Sequence, residues 1–337
     1  MHILFFTPYF NQPRGNATTS KRIIHFLQNQ DIQASVFPYA EKDPWNLPAA
    51  VDIIHILHAT RFAAWAKKQS FTLTKPYILT MGGTDINSDL QTELAEDVYN
   101  LIDGASSITV FTEDALCKVE TLQPAWAKKT EVIPQAAWIS WKVNQKVSYD
   151  SPHVLLPAGL RPVKDVLHAL PALDSLALEF PSLRYTILGA NLDQQVYEEV
   201  IAASKNRPWM EYAGVVPFEV MKRWYNQANI VINTSISEGQ SLAVMEAMAM
   251  GRPVIARRNA ANESIIEHEK TGWLYETTEE FIQAVRSIMR DTYSREKVVR
   301  QAQQSIQQLS SPIREAEAYI RLYQTAISKE TLTIPKV

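Results

Sequence analysis

The stretch from residue 229 to residue 256 reads NIVINTSISEGQSLAVMEAMAMGRPVIA and contains a strand–helix–strand pattern. Its first seven residues form a short apolar run that is typical of a buried parallel strand. Residues 241–250 are rich in Ala and Met and predict a helix, which Gly251 and Pro253 end. The run RPVIAR then predicts the next strand. Such a unit favours a parallel sheet with helices on its faces.

The same alternation extends outward over the whole chain. The other β-rich runs are ILFF, QASVFPY, DIIHIL, PYILTM and SSITVFT in the first half, and HVLLPAG, LRYTILG, WMEYAGV and GWLY in the second. Residues 134–152 interrupt this pattern, with a proline at each end, as an interdomain connection would. We therefore predict an α/β protein with two doubly wound, Rossmann-like domains, residues 1–145 and 146–312, facing each other across a cleft. Residues 313–330 predict an amphipathic helix that packs at the domain junction.

The length and composition of the chain are typical of a two-domain globular protein and do not indicate nucleic-acid binding. At 337 residues the chain is long enough for two domains, and its formal net charge of −3 gives no reason to expect a nucleic-acid partner. The lone cysteine, Cys117, excludes an internal disulfide and fits a reducing, cytoplasmic setting. No run approaches the ~18 apolar residues of a membrane span. The repeated segment AWAKK leaves peripheral membrane contact open, and the oligomeric state is not predicted.

Several cofactor motifs are missing from the sequence. None of the ten glycines forms G-x-G-x-x-G or a P-loop, which argues against a dinucleotide oxidoreductase and a P-loop nucleotidase. There is no Asp-x-Asp pair to hold a metal on a diphosphate. His55 and His58 lie in an apolar run, where a structural role is favoured over metal binding. We therefore predict neither a metal nor a resident cofactor.

The turn between the strand and the helix of the opening stretch carries two carboxylates eight residues apart. Glu238 precedes Gly239, and Glu246 lies about 7 Å along the helix axis from the helix start. The helix N-terminus at residues 239–242 offers free amides for a phosphate. Because carboxylates accept hydroxyl hydrogen bonds, the order of groups matches the sugar, diphosphate and ribose of a nucleotide sugar. The alternative is that Glu246 reaches solvent and Glu238 caps the helix.

The segment SEGQSLAVMEAMAMGRPVIA strongly resembles the E-x7-E segment of the retaining GT-B glycosyltransferases of family 4, and NESIIEHEKTGWLY continues their pattern. The elements RGNATTSKR, MGGTDIN and GLRPVKD are most similar to those of the glycosyltransferase-1-domain-containing proteins of animals. They resemble more distantly those of the bacterial selenosugar synthases. The resemblance covers the whole chain and implies the GT-B fold.

The resemblance also implies roles for residues of the second domain. Glu246 would bind the ribose diol and Glu238 the transferred sugar. Arg161 and Lys164 would neutralise the departing diphosphate, a role that fixed cations perform well. The diphosphate itself would meet a run of amides at the helix start, those of Gly239, Gln240, Ser241 and Leu242. The alternative for the two basic residues is a solvated position at a helix start.

In the first domain the resemblance implies contacts from two loops. A helix is expected to start near Ala17 or Thr18, so that Gly15 and Asn16 approach the donor sugar or the acceptor. In the other loop, relatives often have a histidine where this chain has Gly82. The acceptor-side candidates of that loop are Gly83, Thr84 and Asp85. Asp85 could equally cap a helix.

These observations lead to a functional hypothesis. The chain is predicted to be a metal-independent, hexosyltransferase-type enzyme that moves a sugar from a nucleoside diphosphate sugar, expected to be a UDP-sugar, to a small-molecule acceptor. Retention of anomeric configuration follows from the resemblance. One alternative is transfer to a sulfur, selenium or phosphate nucleophile. The other is a sugar-nucleotide-binding regulatory protein without catalysis.

Overall fold

The computed structural model describes residues 1–12, 14–41, 47–48, 50–139 and 147–333 of the chain. These residues form two compact units: Met1–Ala136 with Ser310–Val337, and Ala137–Leu309. The domain boundary predicted between residues 145 and 146 lies outside the described residues. The boundary predicted after residue 312 lies three residues earlier, after Leu309.

The first unit contains a six-stranded parallel sheet in the part of the chain that is described. Its strands are β1 His2–Thr7, β2 Gln33–Pro38, β3 Ile53–Leu57, β4 Tyr77–Thr80, β5 Ser107–Val110 and β6 Thr130–Val132, in the order β2-β1-β3-β4-β5-β6. Its helices are α1 Gly15–Gln28, α2 Ala59–Gln69, α3 Gly83–Asn87, α4 Glu96–Asp103, α5 Glu113–Leu122 and α6 Pro124–Ala127, with a 3-10 turn at Asp89–Gln91. The sequence did not predict β6, because its three residues carry no apolar pattern. In the structure none of the three is fully buried.

The second unit repeats this architecture. Its strands are β7 His153–Pro157, β8 Arg184–Leu188, β9 Met210–Gly214, β10 Ile230–Asn233, β11 Val254–Arg257 and β12 Trp273–Tyr275, in the order β12-β11-β10-β7-β8-β9. Its helices are α7 Leu170–Glu179, α8 Gln194–Lys205, α9 Phe218–Gln227, α10 Leu242–Ala249, α11 Ala260–Glu263, α12 Thr278–Arg290 and α13 Thr292–Leu309, with a 3-10 turn at Pro162–Lys164. Each predicted strand of this half is present.

The strand order fixes where a ligand can bind in each unit. In the first unit, β2 is added on one side of β1, and β3 to β6 are added in turn on the other side. The direction of strand addition therefore reverses between β1 and β3. In the second unit the reversal lies between β7 and β10. Open parallel sheets bind ligands beyond the carboxyl ends of the strands at such a point. The loops after β1, β3, β7 and β10 are therefore the expected positions for ligand-binding residues.

The last helix of the chain, α14 Pro312–Thr333, belongs to the first unit. It packs against α1, β3 and β4, and it contributes Tyr319 and Tyr323 to the core of that unit. The predicted range 313–330 is close to the observed one, and its packing at the domain junction stays a prediction. Within the described residues, no helix is both long enough and apolar enough to cross a membrane.

Candidate active site

Two loops meet where the strand order of the second unit reverses. One follows β7 and leads through the 3-10 turn to Lys164, and the other joins β10 to α10. The hydroxyl of Thr234 donates to the carbonyl of Lys164 at 2.8 Å, and the amide of Ile236 donates to the carbonyl of Val163 at 2.9 Å. The GLRPVKD and SEGQS segments are thus held side by side. Arg161 is half-buried directly before the 3-10 turn.

Lys164 and Glu238 form an ion pair at this junction. The Lys164 ammonium contacts Oε1 of Glu238, and the two side chains are 16% and 11% exposed. The same oxygen accepts hydrogen bonds from Ser235 Oγ at 2.7 Å and Asn233 Nδ2 at 3.2 Å. Burial would raise the pKa of Glu238, but Lys164 and these two donors hold the pKa below its ordinary value. Glu238 is therefore ionised, and the N-cap of α10 is Ser241 instead.

Glu246 lies one turn inside α10 and is buried, at 9% exposure. The alternative that its carboxylate reaches solvent is not observed. Its Oε2 accepts a hydrogen bond of 2.8 Å from the hydroxyl of Tyr225, which lies in α9. Burial and the carboxylate of Glu246 raise the pKa of Tyr225 well above its ordinary value. The phenol is therefore a neutral donor that fixes one carboxylate oxygen.

The N-terminus of α10 presents the predicted amide run. Ser241 caps the helix by accepting a hydrogen bond from the amide of Val244, and Leu242 is the first helical residue. Gly239 and Gln240 form the approach to the helix and are partly exposed. This arrangement places a helix N-terminus between Glu238 and Glu246. It can receive an anion, with hydroxyl-accepting carboxylates before and after it.

Sequence reasoning missed the side chains that support this turn. Asn262 donates to Asn233 Oδ1 at 3.1 Å, and the amide of Ser235 donates to the same oxygen at 3.1 Å. Asn259 donates to the carbonyl of Ser235 at 3.0 Å. Tyr225 also went unnoticed because it lies in a helix 21 residues before its partner. The asparagines of RRNAANES, which follow a strand end, were the available signal.

The predicted residues of the first unit lie at two helix starts. The helix α1 begins at Gly15, two residues before the earlier of the two predicted starts. The preceding residue, Arg14, makes no side-chain capping hydrogen bond, and a Cβ at Gly15 would meet no atom within 4 Å. Gly15 and Asn16 are thus the first two residues of α1, and the space where a Cβ of Gly15 would lie is open.

Asp85 lies in α3, which begins with Gly83 and Thr84, and its carboxylate is enclosed. The amide of Gly82 donates to its Oδ2 at 2.9 Å, so the capping role left open by the sequence is present. Thr60 donates to its Oδ1 from both amide and hydroxyl, and Nδ1 of His58 lies 2.8 Å from Oδ2. Burial would raise the pKa of Asp85, but His58 and the backbone donors lower it. The space beside Gly82 is occupied by the His58 ring.

The part of the chain that holds these second-unit residues is similar to a known protein family. Residues 151–291 match the family model described as Glycosyl transferases group 1, and this range holds Lys164, Glu238 and Glu246. Residues 151–291 are therefore similar to a glycosyltransferase group 1 domain. Among the residues that the structure describes, no group of His, Cys, Asp or Glu side chains in this domain could hold a metal ion.

The chain also has relatives among curated proteins. It is 27% identical over 244 residues to Glycosyltransferase 1 domain-containing protein 1 of Xenopus tropicalis, covering 68% of this chain and 71% of that protein. It is 25% identical over 128 residues to the alpha-monoglucosyldiacylglycerol synthase of Acholeplasma laidlawii, covering 38% of this chain and 32% of that protein. The second relative aligns over about a third of each protein.

Solved structures extend the likeness to both units. Sucrose-phosphate synthase from Thermosynechococcus elongatus matches with a TM-score of 0.77 at 14% identity, covering 97% of this chain and 99% of that one. Anabaena HepE in complex with UDP and glucose matches with a TM-score of 0.74 at 17% identity, covering 96% and 100%. The fold of the two six-stranded units is therefore GT-B.

Proposed function

We propose that this protein is a retaining, metal-independent glycosyltransferase that moves a hexose from a UDP-sugar to a small-molecule acceptor. The observation that carries the proposal is the sequence of groups along the turn from β10 to α10. The Lys164–Glu238 ion pair stands before the helix N-terminus, and the buried Glu246 follows one turn later. A nucleotide sugar carries sugar hydroxyls, a diphosphate and a ribose diol in this order.

Each group has a separate task in binding the donor. Glu246, fixed by Tyr225, accepts hydrogen bonds from the ribose diol. The amides at the start of α10, from Gly239 to Leu242, meet the diphosphate. The Lys164–Glu238 pair rearranges when the donor binds, so that Lys164 turns to the phosphate and Glu238 to the sugar hydroxyls. In the absence of donor, Lys164 and Glu238 neutralise each other's charge in their ion pair.

The chemical step is a displacement on one face of the sugar. The bond from the anomeric carbon to the β-phosphate oxygen breaks, and UDP leaves with the electron pair. Lys164, Arg161 and the α10 amides stabilise the negative charge that builds up on the phosphate. The acceptor hydroxyl attacks from the side that the leaving group vacates and passes its proton to the departing phosphate oxygen, which retains the configuration.

Nucleotide binding is the first test. Thermal shifts with UDP, GDP and ADP are measured on the wild type, Glu246→Ala and the control Glu219→Ala, which alters an exposed carboxylate of α9 in the same unit. A ligand at 100 times its Kd adds about 2.7 kcal/mol of stability. We expect UDP to stabilise the wild type and the control, and Glu246→Ala to lose that stabilisation. Equal shifts in Glu246→Ala and the wild type would show that Glu246 does not bind the ribose.

Turnover is tested with Lys164→Ala. We expect kcat to fall by about a hundredfold or more, because the lost cation acts on charge that develops in the transition state. The mass of the product formed from candidate acceptors distinguishes a hydroxyl from a sulfur, selenium or phosphate nucleophile. Tight UDP binding with neither transfer nor donor hydrolysis would instead support the non-catalytic alternative.

A further inference from the structure

A buried His–Asp pair at the carboxyl edge of the first sheet has no role in the function proposed above. His58 follows β3 directly, and its Nδ1 lies 2.8 Å from Oδ2 of Asp85. The His58 ring lies against Gly82 at the end of β4. A Cβ at Gly82 would lie 2.5 Å from Cε1 of the ring, so a larger residue there would displace the imidazole.

The backbone of His58 is strained in a way that glycine would relieve. Its φ is 72°, a value that side chains other than glycine adopt infrequently. The amide of His58 donates to the carbonyl of Thr80 at 3.0 Å, so β4 holds the residue in this conformation. Strained backbone of this kind is retained where the surrounding structure requires it, and it is concentrated at functional sites.

The neighbours of His58 select one of its ring nitrogens for a ligand. Nδ1 of His58 faces the Asp85 carboxylate at 2.8 Å, so Nε2 is the ring nitrogen that is left to meet a ligand. Nε2 has no hydrogen-bond partner among the residues that the structure describes. Because the Asp85 carboxylate lies beside the ring and would repel an anion, the pair suits a neutral hydroxyl better than a phosphate. A hydroxyl can both donate a hydrogen bond to Nε2 and accept one from it.

The pair also lies where this sheet would bind a ligand. β3 is the strand at which the order of the first sheet reverses, and His58 is the first residue beyond its carboxyl end. We propose that His58, positioned by Asp85, binds a hydroxyl group of a sugar. This inference rests on the proposed function, which supplies two sources of that hydroxyl: the transferred sugar of the donor and a sugar or polyol acceptor.

The experiment measures by calorimetry the Kd of a nucleotide and the Kd of its sugar conjugate, and compares the two. The pairs are UDP with UDP-glucose, GDP with GDP-mannose, and ADP with ADP-glucose. The variants are His58→Asn, which keeps a donor for Asp85 and tolerates the backbone, and Gly82→Ala, which displaces the ring without altering its chemistry. His25→Asn, at an exposed histidine of α1, is the matched control. Thermal midpoints without ligand verify that each variant is folded.

If the donor sugar carries the hydroxyl, Kd for the nucleotide sugar rises about tenfold in His58→Asn and Gly82→Ala, as expected for one lost hydrogen bond. Kd for the nucleotide alone stays within about twofold, since Glu246 and the amides at the start of α10 are its proposed contacts. Asp85→Asn, which loosens the ring, raises the same Kd while leaving that of the nucleotide unchanged.

If the acceptor carries the hydroxyl, the nucleotide-sugar Kd is unchanged. The KM for glucose, N-acetylglucosamine or glycerol in UDP release then rises about tenfold. Wild-type values in both measurements would overturn the role of His58 and leave the proposed function intact. Failure of the wild type to bind any of the three nucleotides would overturn the proposed function, and the ligand assigned to His58 with it.

Discussion

His55 illustrates what one buried side chain does in the first unit. It lies in β3 with Nδ1 2.6 Å from the hydroxyl of Tyr323 and Nε2 2.7 Å from Oγ1 of Thr80. Complete burial lowers its pKa from 6.5 to about 3. The imidazole is therefore neutral at ordinary pH, with one donor and one acceptor nitrogen between two hydroxyls. Its structural role agrees with the apolar run in which the sequence places it.

The lowered pKa of His55 predicts a pH-dependent stability of the first unit. The pKa of His55 is lower in the folded chain than in the unfolded chain. Its contribution to the free energy of unfolding is therefore fully present above about pH 6.5. This contribution decreases as the pH falls toward 3, by at most about 1.4 kcal/mol per pH unit. Unfolding of the wild type between pH 7.5 and 5 should show this decline. His55→Gln should be less stable at pH 7.5 but decline less steeply, whereas His25→Gln should follow the wild type. An equally steep decline in His55→Gln would assign the pH dependence to other groups.

At the scale of elements, the close approach of two strand ends positions the loop that carries Lys164. The amide of Ala158, just beyond β7, donates to the carbonyl of Leu188 in β8 at 2.7 Å. A Cβ at Gly189 would collide with the carbonyl oxygen of Ala158. Glycine at this position thus lets the two strand ends approach, and the loop from residue 159 to 164 starts from there.

Gly189→Ala is expected to affect stability and nucleotide binding together. Forcing the strand ends apart should destabilise the second unit by about 1–3 kcal/mol. It should also reduce the thermal shift with UDP, because Lys164 moves with the loop. The control is Gly214→Ala at the end of β9, where a Cβ meets no atom within 4 Å but φ is 72°. That change should cost about 1 kcal/mol and leave the UDP shift intact. Equal UDP shifts in both variants would contradict the positioning role of Gly189.

At the scale of the whole molecule, the chain returns to its first unit after the second is complete. Arg22 of α1 and Glu315 of α14 form a buried ion pair, with Nε 2.7 Å from Oε2. Gln135, near the end of the first segment, lies 3.4 Å from the same guanidinium. Tyr319 and Tyr323 of α14 pack in one cluster with Ile3 and Phe5 of β1. The last helix is therefore part of the core of the first unit.

Removal of α14 should separate the stabilities of the two units. A chain ending at Leu309 loses the helix and leaves the Arg22 charge buried without Glu315, which is strongly destabilising. We expect amide exchange protection of β1, β3 and β4 to be lost, while β10 and α10 keep theirs. A chain ending after residue 333 is the control and should retain protection in both units. Full protection of β1 and β3 in the shorter chain would show that α14 is dispensable for the first unit.

The sequence by itself determined the strand–helix alternation, the two-unit organisation and the turn with Glu238, Gly239 and Glu246. These features depend on local patterns: apolar runs, helix signals and spacing along one segment. The short strand β6 has no such pattern, and its membership in the sheet depends on pairing with β5. Its position could therefore not be predicted from the residues of that strand.

The tertiary structure decided which distant residues support the site and the core. Tyr225 reaches Glu246 from another helix, His58 takes the space beside Gly82 from the neighbouring strand, and Lys164 pairs with Glu238 across 74 positions of the chain. Likewise, Glu315 pairs with Arg22 across 293 positions. Local sequence encodes backbone propensity and amphipathic faces. Which side chains meet depends on strand order and on the packing of helices over the sheet, and these are properties of the folded chain.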